Sequence, residues 1–406
     1  MDGYAPLIAA LIALLAGLTI GKAWERYKLR EGRWIDRRKA RESPHYILGL
    51  NFLVSNQIDL AVEELSRAAM LDADALEIHM ILGNLYREKG QVGRAITLHQ
   101  SLLQRPKLTK LERAYVLLCL GLDFKRGGFV DRALETFTEV LRFDPENPYA
   151  LVNLEKLHED QHQWQEAYEI RQKLVRRADS STLKRHQAIL AFLENALGLE
   201  ALKANDRHTA ASRFNAAIEL DAGAVPAYLN LGDVRLMEGD PAQSAKLWER
   251  VFEIAPERAY LTFDRLEAVY PKLGGADRFP EWCRRLIAAN AQDWRARLAL
   301  SRHVAARGQA REALSLLFDA LTHNPHALTV HQAIWQVLSQ LHLEPALVDR
   351  YVELTRHAVF YLDPHICIRC RYRSTELLWQ CPHCHEWNTF VEERIAPAKE
   401  GDNAQG

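Results

Sequence analysis

A short block of small, apolar and aromatic residues returns along the middle of this chain at a fixed offset. Residues 48–68 (LGLNFLVSNQIDLAVEELSRA) lie over residues 82–102 (LGNLYREKGQVGRAITLHQSL) with Gly49 on Gly83, Phe52 on Tyr86 and Ala61 on Ala95, 34 residues apart. Residues 120–145 repeat the block with Gly121, Phe124, Ala133, Phe137 and a closing Pro145. Residues 197–221 supply Gly198, Ala210, Phe214 and Ala217, and residues 231–256 supply Gly232, Trp248 and Pro256, again 34 residues on. Weaker copies lie at 154–174 and 298–325, the latter with Ala313, Leu317 and Ala320, and a degenerate copy at 259–290 keeps the length but loses the glycine. Two helices of about 12 residues each bury too little apolar surface to stand alone, so such pairs stack into a solenoid.

This pattern resembles the tetratricopeptide repeat (TPR), with a small residue where the first helix of a pair crosses the second, aromatics in both helices, and proline at the end. The expected fold class is all-α: a TPR superhelical solenoid over 42–358, about eight repeats plus closing helices. An array of this kind binds, because its first helices line an extended groove. Nothing in the repeats has the pattern of a catalytic triad, a phosphate loop or a carboxylate pair. First-helix positions expected to face the groove and meet a protein partner are Asn84, Arg87, Lys125, Arg126 and Asp233. Cys119 and Cys283 sit in apolar helical stretches and read as small packing residues.

Charge divides the chain further. The whole carries 52 Lys plus Arg against 53 Asp plus Glu, but residues 22–41 hold nine basic groups (Lys22, Arg26, Lys28, Arg30, Arg33, Arg37, Arg38, Lys39, Arg41) against Glu25, Glu31 and Asp36. That segment is +6, so the remainder is −7, which argues against a nucleic-acid-binding body. Just before it, residues 3–21 carry no charge. Nineteen helical residues span about 28 Å, the hydrocarbon thickness of a bilayer. A cleaved signal peptide would carry its positive charge ahead of the apolar run. Here the charge follows, so residues 1–24 are expected to be a transmembrane anchor with its N-terminus outside, and 25–41 a basic juxtamembrane segment on the cytoplasmic side. Trp24, Tyr27 and Trp34 are placed for the interface. Ala9, Ala13, Gly17 and Gly21 recur every four residues, a stripe suited to packing another membrane helix and equally a product of the Gly and Ala content of membrane spans.

The C-terminal segment carries the specific chemistry. Cys367, Cys370, Cys381 and Cys384 form C-x2-C, ten residues, C-x2-C, two thiolate pairs suited to one tetrahedral ion with metal to sulfur bonds of about 2.3 Å. In a reducing cytoplasm a disulfide reading is disfavoured. With the shell complete, His365, His383 and His385 are not needed as ligands. Zinc and iron both suit four thiolates. The segment resembles a rubredoxin-like or zinc-ribbon module, expected over 359–393 with a disordered tail at 394–406. Arg371 and His385 stand where a rubredoxin usually has glycine, which favours a structural metal over electron transfer. So small a module needs the ion for much of its folding energy, with Tyr372, Trp379, Trp387 and Phe390 as a minor core or a patch against the last helices.

A membrane helix, a TPR array and a C-x2-C-x10-CPxC segment in this order resemble the lipopolysaccharide assembly protein B family of Gram-negative bacteria. The resemblance implies a non-enzymatic inner-membrane adaptor. Its partners would be the FtsH-type membrane metalloprotease, the lipid A pathway deacetylase whose turnover it promotes, and an inner-membrane sensor protein. It also implies that the four cysteines are metal ligands. A membrane-tethered iron protein for one-electron transfer is the competing class, and a zinc-ribbon nucleic-acid binder a third that the acidic body disfavours.

Overall fold

The computed structural model describes residues 43–106, 108–275, 277–355 and 365–393. The expected membrane anchor and basic segment, with Ala9, Ala13, Gly17 and Gly21, lie outside these residues, as does the expected tail at 394–406. Among the described residues no helix is long and apolar enough to cross a membrane.

The chain forms two compact units, 1–157 and 158–406. In the first, helices follow as antiparallel pairs: α1 (Pro44–Val54) with α2 (Ile58–Leu71), α3 (Leu76–Glu88) with α4 (Val92–Leu103), and α5 (Lys110–Arg126) with α6 (Val130–Phe143). The division falls inside α7 (Pro148–Asp160). The second unit continues with α8 (Trp164–Val175), α9 (Leu183–Lys203), α10 (Arg207–Leu220), α11 (Val225–Met237) and α12 (Pro241–Ile254). Short 3-10 turns at Pro256–Thr262 and Tyr270–Leu273 flank α13 (Phe263–Val269), and α14 (Arg278–Ala289), α15 (Trp294–Ala306), α16 (Ala310–His323), α17 (Leu328–Gln340) and α18 (Pro345–Thr355) follow.

At several helix starts a side chain caps the first turn. Thr109 and Glu112 form a reciprocal capping box at the start of α5. Asp206, Asp240 and Asp293 accept the backbone N–H three residues on at the starts of α10, α12 and α15, each satisfying a donor that the first helical turn leaves unpaired. The turn inside each pair contains a residue of left-handed backbone: Asn56, Gly90, Gly128, His162, Asn205, Gly239, Gly274, Gly308 and His342.

Packing within five of the pairs follows one rule. The first-helix glycine faces a large side chain sixteen residues later: Gly49 with Leu65, Gly83 with His99, Gly121 with Phe137, Gly198 with Phe214, and Gly232 with Trp248. A Cβ on Gly121 would lie 2.6 Å from the Phe137 ring, so the crossing exists only because the first helix lacks a side chain there. Phe137, Phe214 and Trp248 are wholly buried. Fully burying one such ring contributes about 2–3 kcal/mol.

His99 departs from the aromatic or aliphatic residue found at its repeat equivalents. It is wholly buried and pairs through Nδ1 with the equally buried Asp123 of α5, while Arg87 Nη1 of α3 donates to the same carboxylate at 2.8 Å. Three consecutive helices are thus pinned by one ionic cluster. In the second unit aromatic side chains pair within the core: Phe252 stacks on Trp282 at 4.7 Å and lies 6.3 Å from Phe263, and Trp248 donates its indole N–H to Leu229 O at 3.2 Å.

After the helices, residues 365–393 form a three-stranded antiparallel sheet ordered β2 (Arg373–Ser374), β1 (His365–Cys367), β3 (Phe390–Glu392). His365 sits opposite both Ser374 and Glu392, and Cys367 opposite Phe390.

Candidate metal centre

The two cysteine pairs fold into two matching knuckles. In the first, Cys367 O accepts the N–H of Arg371 at 2.9 Å, and Cys367 N–H donates to Tyr372 O at 2.8 Å. In the second, Cys381 O accepts from His385 at 2.9 Å and Cys381 N–H donates to Glu386 O at 3.0 Å. Each knuckle closes through a left-handed residue, Arg371 at φ 64° and His385 at φ 55°. The turn that glycine makes cheaply in rubredoxins is therefore kept with side chains in place, at a cost of about 1 kcal/mol each.

This closure aims all four sulfurs at one point. Cys367 Sγ and Cys384 Sγ are 3.7 Å apart, Cys370 Sγ and Cys381 Sγ 3.6 Å apart, and all four lie within 4.8 Å of one another. A tetrahedral ion with bonds of about 2.3 Å to sulfur sets an edge of about 3.8 Å, so the thiols already stand at the spacing the ion requires. Cys367 and Cys381 are wholly buried and pack with Phe390. Burial opposes ionisation of Cys367, but Thr389 Oγ1, 3.2 Å from its sulfur, and the N–H groups of Cys370 and Arg369 outweigh it and bring the pKa down to about 6. Cys384 is pushed up to about 12, first by burial and then by the sulfurs of Cys370, Cys381 and Cys367. Four thiolates this close repel one another, and a cation at their centre removes that repulsion. The donor set fits one zinc or iron ion.

None of the three nearby histidines joins the sulfur cluster. His365 is buried, its pKa lowered by burial and then by Arg295. His383 is exposed and lies parallel to Tyr372 with ring centroids 6.4 Å apart, while His385 pairs through Nδ1 with Asp160.

That last contact belongs to a seat on α7–α9, not on the last helices where the aromatic patch was expected. The residues following the second knuckle all engage the helices of their own unit: His385 with Asp160 of α7, Glu386 with Arg185 of α9 at 3.0 Å, and Trp387 with three groups at once. The Trp387 indole N–H donates to Glu159 Oε1 at 3.1 Å, its ring stacks on Phe192 at 5.3 Å, and Trp164 meets it edge-on at 6.3 Å. Gln380 donates to the other oxygen of Glu159 at 2.7 Å. Trp379 lies 6.2 Å from the same Phe192 ring, Arg258 lies over Trp379 at 5.0 Å from its ring centroid, and Arg295 donates to Glu392 at 2.9 Å. The ribbon is thus held both by α7–α9 and by the segment around Arg258 and α15.

The expected groove residues lie elsewhere. Arg87 and Asp233 are committed to neighbouring helices, Arg87 to Asp123 and Asp233 to Arg265 through two bonds of 2.8 Å. Lys125 donates to Asn153 at 3.0 Å, Arg126 is exposed, and Asn84 Oδ1 is buried with no hydrogen-bond partner among the described residues. Cys119 and Cys283 are buried, and burial raises both thiols, Cys283 to about 12.

The fold and the site define a TPR solenoid with a C-terminal four-cysteine module. Residues 46–107 and 195–259 match the tetratricopeptide repeat family, and residues 365–392 match the rubredoxin metal binding domain family. The chain is similar to lipopolysaccharide assembly protein B of Escherichia coli (strain K12), 26% identical over 357 residues that cover 86% of this chain and 89% of that one. The protein of the same name from Haemophilus influenzae is 26% identical over 365 residues, with the same coverage. Among solved structures, part of a TPR protein from Cytophaga hutchinsonii aligns with 71% of this chain and 99% of that one, at 11% identity and a TM-score of 0.42.

Proposed function

We propose that this chain is a non-enzymatic adaptor of the bacterial inner membrane that restrains lipopolysaccharide synthesis. In this reading it brings the lipid A pathway deacetylase to an FtsH-type membrane protease and answers to an inner-membrane sensor protein. The observation that carries the reading is the likeness to lipopolysaccharide assembly protein B over 86% of the chain, beside the rubredoxin metal binding domain match at 365–392. The site supports it: a repeat array offers binding surface, and the metal module is built into the array as a fastening. Residues 1–24 anchor the body in this reading, 25–41 meet the anionic membrane surface, Ala13, Gly17 and Gly21 pack against a partner helix, and Asn84, Arg87, Lys125, Arg126 and Asp233 border the partner groove. The metal serves structure.

Crosslinking in native membranes, followed by purification and mass spectrometry, tests this. The protease and the deacetylase are expected among the crosslinked chains, and cells lacking residues 1–21 are expected to lose regulated deacetylase turnover. Normal turnover in those cells would contradict the adaptor reading. A reversible iron chromophore in protein purified without added metal, with turnover unaffected by its loss, would support electron transfer instead.

A further inference from the structure

The two knuckles are equivalent at an offset of 14 residues, yet only one is used. His385, Glu386 and Trp387 of the second fasten the ribbon to the helices, and their equivalents in the first are Arg371, Tyr372 and Arg373. Arg373 pairs with Glu393 at 2.7 Å. Arg371 and its neighbour Arg369 are exposed, and neither side chain makes a hydrogen bond or ion pair among the described residues. Beside them Ile368 is 57% exposed and Tyr372 41% exposed. Two free guanidinium groups thus flank an apolar and an aromatic side chain on a rigid turn.

Arg371 is also held at φ 64°, a conformation that glycine adopts without strain. At the equivalent position the strained residue, His385, contributes its contact with Asp160. Arg371 bears the same strain with no contact of its own in the described chain.

We infer that the first knuckle is a second docking surface, which receives an acidic segment of a partner protein. That segment sets a carboxylate against Arg371 as Asp160 is set against His385, and apolar side chains against Ile368 and Tyr372. Charge complementarity fixes the sign of the partner, and the planar guanidinium groups suit carboxylates bidentately. A protein is favoured over a lipid surface because the equivalent knuckle already recognises a carboxylate beside aromatic rings. The inference rests on the adaptor reading only for the existence of a partner.

The full-length protein with a photo-crosslinking amino acid in place of Ile368 tests it in cells, with the same group in place of the exposed Met237 as control and crosslinked peptides sequenced by mass spectrometry. The expected product joins position 368 to a peptide with Asp or Glu within a few residues of the crosslink. Its yield falls at least fivefold in Arg371→Gly, a change that relieves the turn and so leaves metal content and helicity unaltered. Arg369→Gln acts in the same direction. No crosslink at position 368, a yield indifferent to Arg371→Gly, or Arg371-dependent sedimentation with phosphatidylglycerol vesicles in place of a protein crosslink each overturns the inference. Deacetylase turnover, measured alongside, reports on the adaptor reading separately.

Discussion

Trp387 and Glu159 are joined by an indole N–H to carboxylate hydrogen bond of 3.1 Å between residues 228 positions apart. Glu159 is 2% exposed and accepts from Gln380 with its other oxygen, so one carboxylate satisfies two donors of the ribbon.

Glu159→Ala is therefore expected to strand both donors. Hydrogen bonds to a charged acceptor contribute about 1.5–3 kcal/mol each, and some of that returns through water, so the seat weakens by about 2–4 kcal/mol. The four sulfurs are untouched. Hydrogen exchange across residues 365–393 is expected to accelerate while metal content stays at that of the unaltered protein. Unchanged exchange would show that Glu159 does not hold the ribbon.

Removing ligands acts in the opposite order. Cys381→Ser with Cys384→Ser is expected to abolish metal binding, measured by elemental analysis, and then to release the seat, because Trp387 is placed by the second knuckle. Trp387 fluorescence should change and the C-terminal segment should become protease-sensitive, while the helical signal falls little. A ribbon that retains its metal refutes the ligand assignment.

His99→Phe restores the kind of residue found at the equivalent positions, Phe137 and Phe214, yet is expected to destabilise the first unit by about 3 kcal/mol. The ring fits the Gly83 crossing, but Asp123 keeps a buried charge with Arg87 as its main partner, and breaking a buried ionic cluster typically costs about 3–5 kcal/mol. Urea unfolding reads this directly; a variant as stable as the unaltered protein would mean that the His99 to Asp123 contact contributes nothing.

Asp179 supplies a pH dependence in the loop between α8 and α9, the helices that carry Trp164 and Phe192. Its carboxylate accepts first from Ser181 and Thr182 side chains and then from the Thr182 N–H, which lowers its pKa to about 2. A depressed carboxylate stabilises the fold above the unfolded value, about 3.9, and that contribution disappears as pH falls through about 2. Asp179→Ala is accordingly expected to lower the melting temperature at neutral pH and to converge with the unaltered protein between pH 4 and about 2. A difference constant over that range would point to another cause.

How much of this was legible depended on whether a contact leaves a local mark. Gly49, Gly83, Gly121, Gly198 and Gly232 stand out in sequence because a close helix crossing tolerates no Cβ, and the cysteine spacing is dictated by the ion. The left-handed turn residues were harder to see, since Asn56, His162, Asn205 and His342 take the place of glycine. Period places Arg87 and Asp233 on their helices but does not name their neighbours; folding supplied Asp123 and Arg265. The ribbon's aromatic residues were legible as a patch against helices, but their seat on α7–α9 was not, because Glu159, Arg185 and Phe192 lie about two hundred residues from the groups they meet, with no period relating them.

A repeat array ordinarily behaves as a row of dominoes, each helix pair coupled only to the next, so that it frays from its free end. The ribbon makes the row in the second unit into a ring. Closing a loop of this length costs about 5 kcal/mol of chain entropy once, when the seat forms. Thereafter the last helices cannot peel away unless the ribbon lets go of α7–α9, and melting becomes a single event in which the distant ends leave together.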